Sequence, residues 1–249
     1  MVLGAVTLLG HGRLGSAMAE GWRLTGTAPD LTILTRADQP VVPAGTAALV
    51  IAVKPSTWRQ ALAPLLSTLP PATVVVSVMA GIRGEDIAAA VPGRPVVRVM
   101  PTTAVAQAQG VAAIWSADPA ARALAHALFD PVADAVDLEG EALIDAATAV
   151  SGCAPAFFYA LAQALAVAGA DAGLPLDTAI RLTRGALRSA GAGAVTETAL
   201  DALIDRIASP GGVTRAGLEA LDPDLNTAAR AAVAAAVARS KGLAGHQPA

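Results

Sequence analysis

The chain has 249 residues, enough for one large or two ordinary domains. Hydrophobic residues make up 54% and charged residues 15%, an apolar balance that favours close helix packing and buried subunit contacts. A net charge of −3 and 3% aromatic residues leave no electrostatic or stacking basis for binding nucleic acid or an anionic membrane.

Cys153 is the one cysteine, so no disulfide can form within the chain, and a reducing, cytoplasmic compartment fits. His11, His126 and His246 are far apart and lack metal-ligand spacing, so no metal site is expected. The N-terminal apolar run has no basic flank and leads straight into glycines, which predicts a buried strand and not a signal peptide. The longest apolar run, residues 154–170, falls short of the ~20 residues that span a bilayer, contains Gln163 and has no flanking basic cluster. No membrane partner is expected.

In chain order, residues 5–9 predict a buried strand entering Gly10-His11-Gly12-Arg13-Leu14-Gly15, with a helix over 16–24. This is G-x-G-x-x-G between a strand and a helix, the setting in which it binds a dinucleotide. Gly10 permits the tight turn, Gly12 admits a pyrophosphate and Gly15 packs helix on strand. The second strand, 31–35, ends in Thr35-Arg36, where an NAD site usually carries an acid. A cation there favours a 2′-phosphate, so NADP(H) is expected over NAD(H).

Only a short segment with Pro40, Pro43 and Gly45 separates Arg36 from the next strand, 48–53. A βαβ crossover needs at least about 10–12 residues including its helix. The usual helix and third strand are therefore expected to be missing, leaving a shortened sheet edge. Further along, strands are predicted at 73–78, 95–99, 110–115 and 132–136, and helices at 57–69, 84–91 and 119–129. Alternation of this kind makes a doubly wound α/β sheet with ligands at the carboxyl ends of its strands. Those ends include Val53-Lys54-Pro55, residues 79–81 and Pro101-Thr102.

After Glu139 the pattern is helical throughout, giving an expected division into a Rossmann-like domain, 1–139, and a helical domain, 140–249. Helices are predicted at 141–150, 156–172, 176–191 with Asp177 as N-cap, 197–208, 213–221 and 223–241, with a frayed tail from 242. The helix 156–172 is apolar nearly all round, so it is expected to be buried on every side, in a homodimer core. Between the later helices, Ser209-Pro210-Gly211-Gly212 forms a tight corner before Val213 and Thr214. Read alone, it is either a helix corner with Thr214 as an ordinary N-cap or a loop and helix start suited to a small carboxylate.

The segments GHGRLG, AVKP, SVMAGI, VVRVMP, AVSGCAPAF and IASPGGVTRAGLEALD occur in the order found in pyrroline-5-carboxylate reductases, and the chain resembles that family over nearly its whole length. The resemblance implies NAD(P)H-dependent reduction of a cyclic imine to L-proline by a dimer built from the helical domain. It implies that the glycine loop binds the pyrophosphate and that Lys54-Pro55 and Pro101-Thr102 lie beside the nicotinamide. Ser209, Gly211, Gly212, Val213 and Thr214 would hold the substrate carboxylate, with Thr214 also reaching the ring nitrogen, and Glu197 falls on a position near the substrate. The chain departs from the family pattern at Thr102, Cys153, Ala154 and Val213, and in the short segment after Arg36. Two alternatives remain open at this stage: a related imine or keto-acid reductase, and a non-catalytic dinucleotide-binding paralogue.

From the residues themselves, Lys54 reads as shaping its pocket by backbone while its side chain pairs with an acid. Arg98, inside an apolar strand, is expected to meet carbonyls or an acid, and Tyr159 to lie in a core. Cys153 reads as a packed thiol at a helix start.

Overall fold

The computed structural model describes residues 3–28, 30–36, 41–195 and 198–244. Seven strands, β1 (Ala5–Leu9), β2 (Leu31–Leu34), β3 (Thr46–Ile51), β4 (Val74–Ser77), β5 (Val96–Pro101), β6 (Gly110–Trp115) and β7 (Ala133–Asp137), form one sheet in the order β2-β1-β3-β4-β5-β6-β7. Every neighbouring pair is parallel except β5–β6. The nine α-helices of the described residues are α1 (Arg13–Thr25), α2 (Trp58–Leu62), α3 (Gly84–Ala90), α4 (Pro119–Phe129), α5 (Ile144–Ala147), α6 (Ala154–Asp171), α7 (Leu176–Ala194), α8 (Leu200–Ile207) and α9 (Val213–Ala244).

The central strands are buried on both faces, so they read as continuous apolar runs and not as alternating ones. Successive side chains still point to opposite faces. Ala48, Val50 and Val76 join a core with Trp22 and Phe129, whereas Leu49, Ile51 and Val75 join a second core with Trp58, Leu62 and Ile87. Trp22 of α1 meets Phe129 of α4 edge to face, with ring centroids 6.0 Å apart, and its indole N–H donates to the Leu128 carbonyl at 2.8 Å. The buried polar end of this large side chain is thereby satisfied.

Among the described residues, no helix or strand intervenes between β2 and β3, and β2 pairs only with β1. The sheet edge is short, as the sequence predicts. The connection is pinned by Val42, which is buried and donates its N–H to Thr68 Oγ1.

The segment predicted as one helix over 57–69 is instead a 3₁₀ turn, the single-turn α2 and a second 3₁₀ turn, Ala63–Leu65. Pro64 interrupts it, because proline supplies no N–H and its ring crowds the preceding turn. Trp58, Leu62, Leu65 and Leu69 are buried, and Leu66 is exposed.

By its contacts the chain divides into two compact units, Met1–Gly152 with Ala235–Ala249, and Cys153–Ala234. The first extends past residue 139 because Ile144 is buried in a small core with Met100 and Ala113, and Ala149 is buried as well. In the same unit, the buried Ser240 donates its hydroxyl to Asp145 Oδ1.

In the second unit, α6 and α7 approach through small residues; a Cβ on Gly169 would lie 3.5 Å from that of Ala179. Gly173, at φ +103°, turns the chain between them. Asp177 lies within the first turn of α7 and Pro175 occupies the N-cap position, so Asp177 faces the helix's positive end without capping it. The break expected at Pro223 does not occur: α9 runs through it. Residues 219–225 are exposed, so water can reach the carbonyl freed by proline, and the alanine-rich continuation favours helix. Within the single chain α6 is not buried on every side: Phe158 and Tyr159 are 57% and 65% exposed, and only Ala166 is buried. Tyr159 lies in no core within the single chain; the core expected for it is that of the homodimer.

Candidate active site

The glycine loop leaves β1 and turns at Gly10, whose φ of +102° suits glycine. A Cβ there would stand 2.7 Å from the Ala52 carbonyl oxygen, and one on Gly15 only 2.3 Å from that of Gly10. Both glycines are required by the packing of strand, loop and helix. Gly12 differs, since nothing lies within 4 Å of a Cβ built on it. Its surroundings are open, as an approaching ligand requires. Gly12 is the N-cap of α1 and contributes no capping side chain, and the first turn carries no acid. The free amides of Arg13, Leu14 and Gly15 therefore present positive potential at the loop.

The loop borders an open cleft of about 870 Å³ outside the carboxyl ends of β1, β2 and β3. His11, Thr35, Arg36, Val53 and Lys54 line it, and no carboxylate does among the described residues. The donor set fits an anionic dinucleotide: a glycine cradle for the pyrophosphate and two cations for further phosphate. Arg36 and Lys54 are both exposed. The Lys54 carbonyl accepts hydrogen bonds from the Thr57 N–H and hydroxyl, at 3.0 and 3.4 Å, so its backbone shapes the wall. No acid among the described residues lies within ion-pair distance of its ammonium, in contrast to the pairing expected. Pro55 opens the 3₁₀ turn that follows.

Pro101 and Thr102, at the end of β5, do not line this cleft. Both are buried, and Thr102 exchanges two bonds with Val111, its N–H to the carbonyl at 3.0 Å and its Oγ1 accepting the N–H at 3.2 Å. Thr102 ties β5 to β6 and does not line the cleft.

Arg98 does meet both expected kinds of partner. Its Nη1 donates to Glu141 Oε1 at 2.9 Å and its Nη2 to the Met79 carbonyl at 3.4 Å. The same Glu141 oxygen accepts the Gly84 N–H. Arg98 Nε has no hydrogen-bond partner among the described residues. An unsatisfied buried donor costs about 1–3 kcal/mol, so this arrangement is not the most stable filling of the site. Glu141 lies 43 residues from Arg98, and sequence reasoning did not identify it.

In the second unit, the corner from Ala208 to Thr214 follows α8. Ala208 is buried, Ser209 is exposed, and Gly211 has a φ of +70°. The Gly212 N–H donates to the Ser209 carbonyl at 3.0 Å, and a Cβ on Gly212 would lie 2.6 Å from Ser209 Oγ. Helix α9 begins at Val213, with Ala216 N–H bonding back to Gly212. The amides of Val213, Thr214 and Arg215 precede that bond and have no intrahelical acceptor. Thr214 is the second residue of the helix, exposed, and not its N-cap. Arg215 holds the corner from outside, with Nη2 2.8 Å from Asp205 Oδ1 and 3.0 Å from the Ala208 carbonyl. Sequence reasoning passed over Arg215; a cation directly following Thr214 was the available signal. Glu197 lies outside the described residues. Cys153, partly exposed, sits at the N-cap of α6.

Residues 141–243 match the family model described as pyrroline-5-carboxylate reductase dimerisation. Pyrroline-5-carboxylate reductase of Methanosarcina acetivorans is 30% identical, over 96% of this chain and 97% of its own length. That of Synechocystis is 34% identical over 78% and 74%. The Pseudomonas aeruginosa enzyme is 37% identical over 69% of the chain, an alignment spanning 64% of that protein. Among solved structures, the Coxiella burnetii pyrroline-5-carboxylate reductase superposes with a TM-score of 0.86 at 24% identity, covering 96% of this chain and 98% of that one. The Plasmodium falciparum pyrroline carboxylate reductase with NADP bound gives 0.83 at 23% identity, covering 98% and 99%. A relation that extends along nearly all of both chains, through glycine loop and helical corner alike, establishes that the chain belongs to the pyrroline-5-carboxylate reductase family.

Proposed function

We propose that the chain is an NAD(P)H-dependent oxidoreductase that reduces the C=N bond of 1-pyrroline-5-carboxylate, giving L-proline. The observation that carries this is the relation over nearly the full length of curated pyrroline-5-carboxylate reductases. NADP(H) is the preferred cofactor, a reading supported by Arg36 and Lys54 in a cleft that no described carboxylate lines. The working form is a cytoplasmic homodimer or larger homo-oligomer built from the helical segment beyond residue 139. The family's dimerisation match and the exposed apolar surface of α6 support this.

The bound nicotinamide supplies the hydride. The chain's residues bind, orient and exclude water. Gly10, Gly12 and the amides of Arg13, Leu14 and Gly15 hold the pyrophosphate, with His11 at the rim. Thr35 and Arg36 take the ribose and its 2′-phosphate, and Val53, Lys54 and Pro55 form the wall toward the nicotinamide. Pro101 and Thr102 belong to this end as backbone framework. Ser209, Gly211, Gly212 and Val213 grip the substrate carboxylate, and Thr214 orients the ring nitrogen through its hydroxyl. Glu197 is assigned to the substrate side on the resemblance alone. A protonated imine is already electrophilic, so positioning outweighs acid catalysis in this assignment.

The test is NADPH oxidation with pyrroline-5-carboxylate, compared with other cyclic imines and with keto acids. Turnover of pyrroline-5-carboxylate in preference to the rest is expected; NADPH binding without turnover of any imine would overturn the reading. Thr214→Ala should lower kcat/KM about fivefold to tenfold, the worth of one substrate hydrogen bond of about 1 kcal/mol. Full activity in that variant would remove Thr214 from the site.

A further inference from the structure

Residues 79–84 leave β4 at its carboxyl end, the side of a doubly wound sheet on which ligands bind. A buried cation, Arg98, and a partly exposed carboxylate, Glu141, hold this turn. Arg98 is in register with Ser77 across the parallel β4–β5 pair, and its Nη2 reaches forward to the carbonyl of Met79. Its Nη1 meets Glu141, whose Oε1 also takes the N–H of Gly84, the first residue of α3. One guanidinium and one carboxylate therefore secure both ends of the turn. Between them, Gly81 adopts a φ of +73° and Ile82 is fully buried. Gly84 allows the approach: a Cβ on it would lie 3.4 Å from both Glu141 oxygens and 3.3 Å from the Trp115 ring.

We propose that Arg98 and Glu141 are positioning residues, a clip that fixes the backbone of residues 79–84 as part of the wall at the nicotinamide end of the site. The proposal rests on the reading of the chain as a dinucleotide-dependent imine reductase. Arg98 is itself buried in β5, where an aliphatic side chain would leave no polar group to satisfy. An ion pair with one buried member is weak evidence for stability, and its hydrogen bonds here go to the backbone of one turn. What the pair fixes is therefore the turn, to which both hydrogen-bonded backbone groups belong.

The experiment compares Glu141→Gln, Arg98→Lys and Arg98→Met with the unaltered full chain. Four quantities are read: thermal midpoint, amide exchange at residues 80–84, the Kd and fluorescence of bound NADPH, and kcat with pyrroline-5-carboxylate. In Glu141→Gln and Arg98→Lys the first unit should stay folded with a lowered midpoint, because a buried group loses its partner, and the NADPH Kd should hold while exchange at Gly84 and its neighbours accelerates. Their kcat should fall about tenfold to a hundredfold, as expected for a small misplacement of reacting groups. Arg98→Met should lose more than Arg98→Lys. Unchanged exchange at residues 80–84 would overturn the proposal. So would an increase across the whole first unit with Kd and kcat failing together, the mark of a purely structural role. Turnover by the unaltered chain tests the enzyme reading separately. If it is inert, that reading falls, and local exchange together with a changed fluorescence of bound NADPH still decides the clip.

Discussion

Arg36 is the residue on which cofactor choice turns. It stands at the end of β2, exposed, in the place where an acid would select against a 2′-phosphate. Charge-assisted hydrogen bonds contribute about 1.5–3 kcal/mol, so Arg36→Glu should lower kcat/KM for NADPH about tenfold to a hundredfold and leave NADH nearly unaffected. Equal losses with both cofactors would show that Arg36 does not read the phosphate. A second residue, His126, sets a pH dependence. Its Nδ1 lies 2.9 Å from Asp130 Oδ1 and its Nε2 3.2 Å from Asp137 Oδ1, so both nitrogens face carboxylate oxygens. Carboxylates only accept, so both contacts are hydrogen bonds only when the ring carries both protons. The hydrogen bond to Asp130 raises the His126 pKa most; burial opposes it, and the bond to Asp137 adds to it. A raised folded pKa means that the stabilisation is complete below the unfolded value of about 6.5 and is lost as pH climbs through the folded one. Urea unfolding should therefore show lower stability above that window than at about pH 6, by at most about 1 kcal/mol for a partly exposed pair. His126→Gln should flatten that slope; an unchanged slope would assign it to other groups.

At the scale of elements, the glycine loop separates two kinds of requirement. Gly15→Ala would drive a methyl to 2.3 Å from the Gly10 carbonyl oxygen, so strand, loop and helix must move apart. Overpacking of this kind costs about 1–3 kcal/mol, and both the thermal midpoint and dinucleotide affinity should drop. Gly12→Ala meets nothing in the chain, so the midpoint should hold while NADPH affinity falls. Retained affinity in Gly12→Ala would place the pyrophosphate elsewhere. The fate of two prolines shows where sequence reading of elements works and where it does not. Pro64 ended a predicted helix, and Pro223, in a stretch of similar helical pattern, did not. Proline's local effect is the same in both. Gln60 and Glu219, whose carbonyls these prolines free, are both exposed, so the outcome turns on the flanking residues: alanine-rich after Pro223, but Ser67, Thr68, Pro70 and Pro71 after Pro64.

At the scale of the molecule, the apolar surface of α6 demands a partner. Phe158, Tyr159, Leu165 and Val167 are each more than half exposed in the single chain, an apolar patch of the kind that marks an interaction surface. The stretch Glu141–Asp171 is also long and apolar enough to cross a membrane by length and composition. The proposed homodimer accounts for the same surface, and light scattering decides: Phe158→Glu should convert the oligomer to monomer and make thermal stability independent of protein concentration. An unaltered mass would locate the interface on another face.

The sequence by itself determined the strand order's ingredients, the glycine loop and the helical second half. These are local: strand periodicity, a three-glycine spacing and the apolar character of single segments are legible without knowing what they touch. It also predicted the short edge after β2, because too few residues follow Arg36 to make a crossover helix. Only the tertiary structure decided that Arg98 is answered by Glu141, that Arg215 braces the helical corner, that Thr102 is spent on the β5–β6 pair, and that Lys54 has no acid beside it among the described residues. Each depends on residues brought together from distant or differently oriented elements. A single sequence contains the pairing partners but not the distances between them, and at a site built of hydrogen bonds, distance decides which groups interact.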